Sequence, residues 1–126
     1  MNPLRFGPRP FWLFFCVFIF FACSDSASAQ GLLITEFQAF NESTIQDEDS
    51  EYTDWIEIFN SGDAEVNLDG YYLTDSVEEL NKWQFPAVTI GPGRFLVVFA
   101  SGKDRRSADS ELHTNFSIER NGGEIL

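Results

Sequence analysis

Apolar positions along most of the chain come in short runs broken by turn-forming residues, the pattern of strands rather than helices. Leu32, Leu33, Ile34, Thr35 and Phe37 predict a first strand within 31–40. Residues 41–53 are polar and acidic and predict a loop. Asp54-Trp55-Ile56-Glu57-Ile58-Phe59-Asn60, aromatic and β-branched, predicts the strongest strand. A turn at 61–63 leads to Val66-Asn67-Leu68 and, past Gly70, to a strand at Tyr71-Tyr72-Leu73. Residues 75–82 form a polar connection with room for a turn of helix. Trp83-Gln84-Phe85 alternates with period two. Pro86 makes 86–90 edge-like, because proline cannot donate to a ladder. Gly91-Pro92-Gly93 predicts a tight turn before a buried strand at 94–100. A charged loop covers 101–110, and 112–118 alternates loosely. Asn121-Gly122-Gly123 is a hairpin signal, and Glu124-Ile125-Leu126 begins a strand with no partner following it.

No stretch of about 11 residues keeps helical spacing with caps. Closely spaced strands therefore predict an all-β sandwich or barrel. In the strongest strand Trp55, Glu57 and Phe59 share one face and Ile56, Ile58 and Asn60 the other. Apolar residues on both faces place it mid-sheet. The expectation is two stacked sheets with an aromatic interior organised around Trp55, to which Trp55, Trp83, Phe85, Phe95 and Phe99 would each contribute roughly 2–3 kcal/mol when buried.

The first 29 residues read differently. Arg5 and Arg9 precede an apolar run from Phe11 to Cys23, about 13 residues and short of the ~20 that a spanning helix needs. Ala27 and Ala29 supply small residues for signal-peptidase cleavage, which predicts residues 1–29 as a signal peptide with an apolar helix and Gln30 as the first mature residue. Two alternatives are lipoprotein anchoring through Cys23 and an uncleaved signal anchor. Both cysteines, Cys16 and Cys23, lie in this leader. The mature domain, 30–126, thus has no disulfide and no thiol chemistry.

Twenty acidic against eight basic residues give a net charge of −12. Such a surface repels phosphate backbones and excludes nucleic acid as a partner. A protein or carbohydrate partner remains. The densest acidic stretch holds Asp47, Glu48, Asp49, Glu51 and Asp54. Calcium favours several carboxylates on a flexible loop, which makes Asp47, Asp49, Glu51 and Asp54 the metal candidates. Their spacing does not match the helix-flanked calcium loop, and a solvated loop is the plainer reading.

Catalysis has little to work with. His113 is the single histidine, there is no GxSxG elbow and no second histidine for zinc, and a strand-surface position is expected for it. Acid pairs are abundant, but so small a domain rarely builds a glycosidase cleft. Lys103, Arg105 and Arg106 form a basic patch that offsets local acid or meets an anionic partner. Asp54, Glu57 and Asn60 either form a binding face or bond backbone groups at strand ends.

The run Asp54–Asn60 resembles the most recognisable segment of lamin-tail domains in secreted bacterial proteins. Leu33-Ile34-Thr35-Glu36-Phe37, the acidic stretch 47–52, Val66–Asp75, Trp83-Gln84-Phe85-Pro86, Ile90-Gly91-Pro92-Gly93, Leu96–Lys103 and Leu112–Phe116 follow in that family's order. The resemblance implies an immunoglobulin-like β-sandwich without catalytic activity, serving adhesion, scaffolding or an accessory role. The family normally continues past the glycine hairpin with a strand or two, so the resemblance also implies a sandwich incomplete at its C-terminal side. Two further readings stand beside it: the accessory front of a larger secreted hydrolase or nuclease, and a calcium-dependent carbohydrate-binding sandwich.

Overall fold

The computed structural model describes residues 31–120 and 123–126. The expected signal helix, the cleavage site and the turn at 121–122 lie outside the described residues. Those described form eight strands: β1 (Leu32–Gln38), β2 (Asp54–Asn60), β3 (Val66–Asn67), β4 (Tyr72–Leu73), β5 (Trp83–Gln84), β6 (Thr89–Ile90), β7 (Phe95–Ala100) and β8 (Leu112–His113). No helix is present among them. Residues 75–82 make two successive turns, Glu79 N–H to Ser76 O and Lys82 N–H to Glu79 O, instead of a helical turn.

Four strands form the main sheet in the order β1-β2-β7-β8. The strand predicted strongest sits in its middle, antiparallel to β1 and to β7. Register fixes the faces. Ile56 pairs with Val98 and Ile58 with Leu96, while Trp55 pairs with Phe99 and Phe59 with Phe95. A register shift between Ile34 and Glu36 bends β1.

Two short ladders, β3-β6 and β4-β5, supply the opposing layer. Leu68 N–H extends the first by donating to Val88 O, and Phe85 N–H extends the second by donating to Tyr71 O. A turn from Leu68 to Tyr71 joins them, with Gly70 at a φ of 85° that side-chain-bearing residues rarely adopt. Their apolar residues Val66, Leu68, Leu73, Trp83, Phe85 and Ile90 form one cluster with Ile56, Ile58, Val98 and Ala100. The arrangement is all-β and open, compatible with an immunoglobulin-like sandwich.

The interior differs from expectation in its centre. Trp83 is the largest fully buried side chain and packs edge-on to Phe85, 4.9 Å between centroids. Trp55 is buried on the opposite face of the sheet, where its Nε1–H donates to Gln38 Oε1 at 3.0 Å. Phe95 is 57% exposed and stacks on Phe59 outside the core. Phe99 is buried on that outer face against the His113 ring. Strand alternation decided this: the inter-sheet face carries Ile56 and Ile58, so the odd-numbered aromatics of β2 and β7 must point away.

The sandwich does not close over β1. Ile34 and Phe37 lie on the core side of their pairing yet stay 39% and 55% exposed. Open depressions beneath them are lined by Leu32, Leu68, Tyr72 and Leu73 on one side and Ala39, Ile118 and Ile125 on the other. The last residue is not unpartnered as expected. Leu126 exchanges two 3.0 Å backbone hydrogen bonds with Thr74, at the end of β4.

Candidate functional site

The chemistry-bearing residues converge where the acidic loop, 41–53, meets the loop after β7, 101–111. The acidic loop is shaped by its own side chains. Buried Asn41 donates from Nδ2 to Ile45 O and Thr53 O and accepts at Oδ1 from the Ser43 and Thr44 N–H groups. Asp47, also buried, accepts at Oδ1 from the Asp49 and Glu51 N–H groups, each at 3.0 Å. Short polar side chains that bond nearby backbone in this way favour turns over strands, which is why the segment is a loop.

Asp47, Asp49 and Glu51 bring carboxylate oxygens within 4.8 Å of one another. Asp54 does not join them. Its Oδ1 accepts from Phe40 N–H at 2.7 Å and Asn41 N–H at 3.4 Å, securing the loop's entry, where Phe40 holds a φ of 70°. The centre of the three carboxylates is taken by the Lys103 ammonium, 2.5 Å from Asp47 Oδ2, 2.7 Å from Asp49 Oδ2 and 2.8 Å from Glu51 Oε2. Arg105 adds bonds to Glu48 Oε1 at 2.8 Å and Asp49 Oδ2 at 2.7 Å. Glu111 Oε2 accepts from Glu48 N–H at 2.6 Å.

Charge states follow from this geometry. Hydrogen bonds from Lys103 and then Arg105 pull the Asp49 carboxyl down to about 2. Burial opposes ionisation of Asp47, but the bonds from Lys103 and the Glu51 and Asp49 N–H groups outweigh it and hold the group below its ordinary value. Burial likewise opposes charge on Lys103, and the three carboxylates overcome it and hold the ammonium above its ordinary range. The result is a carboxylate cage closed by a cation from the same chain.

The predicted basic patch is therefore divided. Lys103 and Arg105 turn into the acidic loop, whereas Arg106 bonds Asp104 Oδ1 at 2.7 Å and lies over the Trp83 ring. Trp83 Nε1–H donates to the same Asp104 oxygen at 3.1 Å. The order of residues announced both charge signs. It gave no sign that a lysine more than fifty positions away would fill the carboxylate triad, because that pairing needs the β2-β7 register to bring the two loops together.

The strand candidates prove structural in their contacts. Asn60 is fully buried and bonds Ala64 O at 2.7 Å, Ile90 O at 2.9 Å and the Gly62 N–H at 2.9 Å, tying β2 to the β3-β6 layer. Glu57 accepts from Thr35 Oγ1–H at 2.7 Å across the outer face. His113, expected at the surface, is fully buried, with Nδ1 2.8 Å from Ser101 Oγ. That serine–histidine pair is no nucleophile couple. The other ring nitrogen has no acid to orient it, and the ring is sealed from substrate.

Residues 25–126 match the family described as Lamin Tail Domain. The chain belongs to the lamin-tail family. It is accordingly a non-catalytic module, and the open sheet and closed carboxylate cage are features of this member's lamin-tail fold. No curated protein and no solved structure matches the chain. Among the described residues, no helix is long and apolar enough to cross a membrane.

Proposed function

We propose that this lamin-tail module is an exported interaction domain that binds a protein partner through the β1 side of its open sheet. One observation carries the reading. Among the described residues β1, seven residues long, forms the sheet edge and exposes Leu33, Ile34 and Phe37, with Phe40 just beyond it. An edge with free backbone groups and exposed apolar side chains is the usual surface for association by strand addition. The acidic character of the chain keeps such a surface soluble and discourages self-association. Export is supported by the leader pattern of residues 1–29, and lipid attachment at Cys23 is the competing form of it.

The test has two arms. N-terminal sequencing of the exported product should begin at Gln30; a chain retaining Cys23 with an acyl group would move the proposal to an anchored module. A Leu33→Lys/Phe37→Lys double variant should lose at least ~10-fold in affinity for a partner isolated with the wild type, as expected when apolar anchors of an interface are replaced. Unchanged binding would remove β1 from the interface. Carbohydrate binding is the second reading, and a glycan panel that binds irrespective of these substitutions would favour it.

A further inference from the structure

His113, the chain's single histidine, occupies the middle of a three-segment ladder. Its backbone pairs in parallel with Phe99 of β7 on one side. On the other it exchanges two 3.0 Å hydrogen bonds with Arg105. The ring stacks on Phe99 at 5.3 Å between centroids. Ser101 Oγ lies 2.8 Å from Nδ1 and also accepts from the Lys103 N–H at 3.3 Å. Nε2 is buried with no hydrogen-bond partner.

The charged groups around the ring are Lys103 and Arg105 from the loop after β7, Asp47 from the acidic loop, and Glu111 just before β8. Both carboxylates are already engaged, Asp47 by Lys103 and Glu111 by the Glu48 N–H. Among the described residues, neither carboxylate nor any other acceptor lies within hydrogen-bond distance of Nε2.

We propose that His113 is an acid-sensitive latch: on taking up a proton it leaves its buried position and releases β8 and the 101–111 loop, and with them the acidic loop that Lys103 and Arg105 hold. A protonated ring in place would carry an N–H without an acceptor and a positive charge beside two cations, the costliest kind of buried group. Released into water, the same ring keeps its proton at no such cost.

The direction with pH follows. Burial first, then Lys103 and Arg105, hold the His113 pKa below its ordinary value in the folded protein. A released histidine titrates near its usual ~6.5. The native latch is therefore fully favoured above that value and loses stability as pH falls below it toward the depressed folded pKa. Asp49, held at about 2, and Asp47, also held below its ordinary value, keep their charge across this window.

Amide hydrogen exchange on the full chain, corrected for intrinsic rates and followed from about pH 7.5 to about pH 5, tests this. Opening at 101–105 and 112–117 should increase by up to about tenfold per pH unit below ~6.5, one proton being taken up on opening. Protection in β1, β2 and the central part of β7 should hold. His113→Phe, which keeps the ring's bulk, should abolish the pH response, and Ser101→Ala, which keeps the histidine, should retain it. Should the Phe variant fail to fold, titration of the wild-type ring protons decides. A ring that protonates in place with protection intact overturns the latch, as does a pH response spread evenly over all strands or one that survives in His113→Phe.

Discussion

Asn60 shows what one side chain does here. It closes β2 with three hydrogen bonds to backbone groups, one on β6 and two in the turn that joins β2 to β3. Asn60→Ala should cost about 3 kcal/mol in urea unfolding, since buried polar groups left unpaired cost roughly 1–3 kcal/mol each. Asn60→Asp should cost more, because a carboxylate would face two carbonyl oxygens. Neighbouring residues of the same strand separate the two faces of the sheet. Ile56→Ala opens the fully buried inter-sheet face and should lose about 3 kcal/mol, the usual range for such truncations being roughly 2–5. Trp55→Phe keeps outer-face packing and forfeits chiefly the bond to Gln38, so about 1 kcal/mol is expected. Equal losses at the two positions would contradict the assignment of faces. Both residues were visible in the sequence as strand residues, and so was their placement on opposite faces. Which face met the second layer was not, because alternation fixes parity and only the partner sheet says which parity is inside.

At the level of elements, the two loops act as one unit. Lys103→Met should destabilise the fold by about 2 kcal/mol, because Asp47 would be left with a buried carboxylate oxygen lacking its donor. Arg106→Met, which removes an exposed pair, should change stability within ~0.5 kcal/mol. Thermal melts in millimolar calcium and in chelator should coincide for the wild type, because the ammonium stands where a cation would need its oxygen ligands. A calcium-dependent rise in Tm would mean that Lys103 yields its place. The acidic loop was legible as a loop and its carboxylates as a cluster. Asp54 was grouped with them on spacing alone, and the structure gives it a different task because its backbone already belongs to β2 and its carboxylate faces Phe40 and Asn41.

For the whole molecule, the open side governs behaviour. Ile34→Lys and Phe37→Lys place a charge on positions already 39% and 55% exposed, so each should lower stability by less than about 1 kcal/mol in urea unfolding. Val98→Lys, at a fully buried position on the same face of the sheet, should prevent folding. If all three variants fold equally well, the interior has been drawn in the wrong place. The same openness limits what the lamin-tail scaffold can do chemically. It offers an edge and shallow apolar depressions, and its one bonded serine–histidine pair is sealed inside.

The sequence by itself determined the all-β character, the order and approximate extent of the strands, the loop at 41–53 and the family kinship, because each depends on local period, turn chemistry or motif order. Only the tertiary structure decided that Trp83 rather than Trp55 centres the core, that His113 is interior, that Lys103 closes the carboxylate cage, and that Leu126 pairs with Thr74. These four share a physical cause. Each is a contact between segments distant in the chain, set by register and by which sheet face is covered, and neither quantity is written in any short stretch of residues.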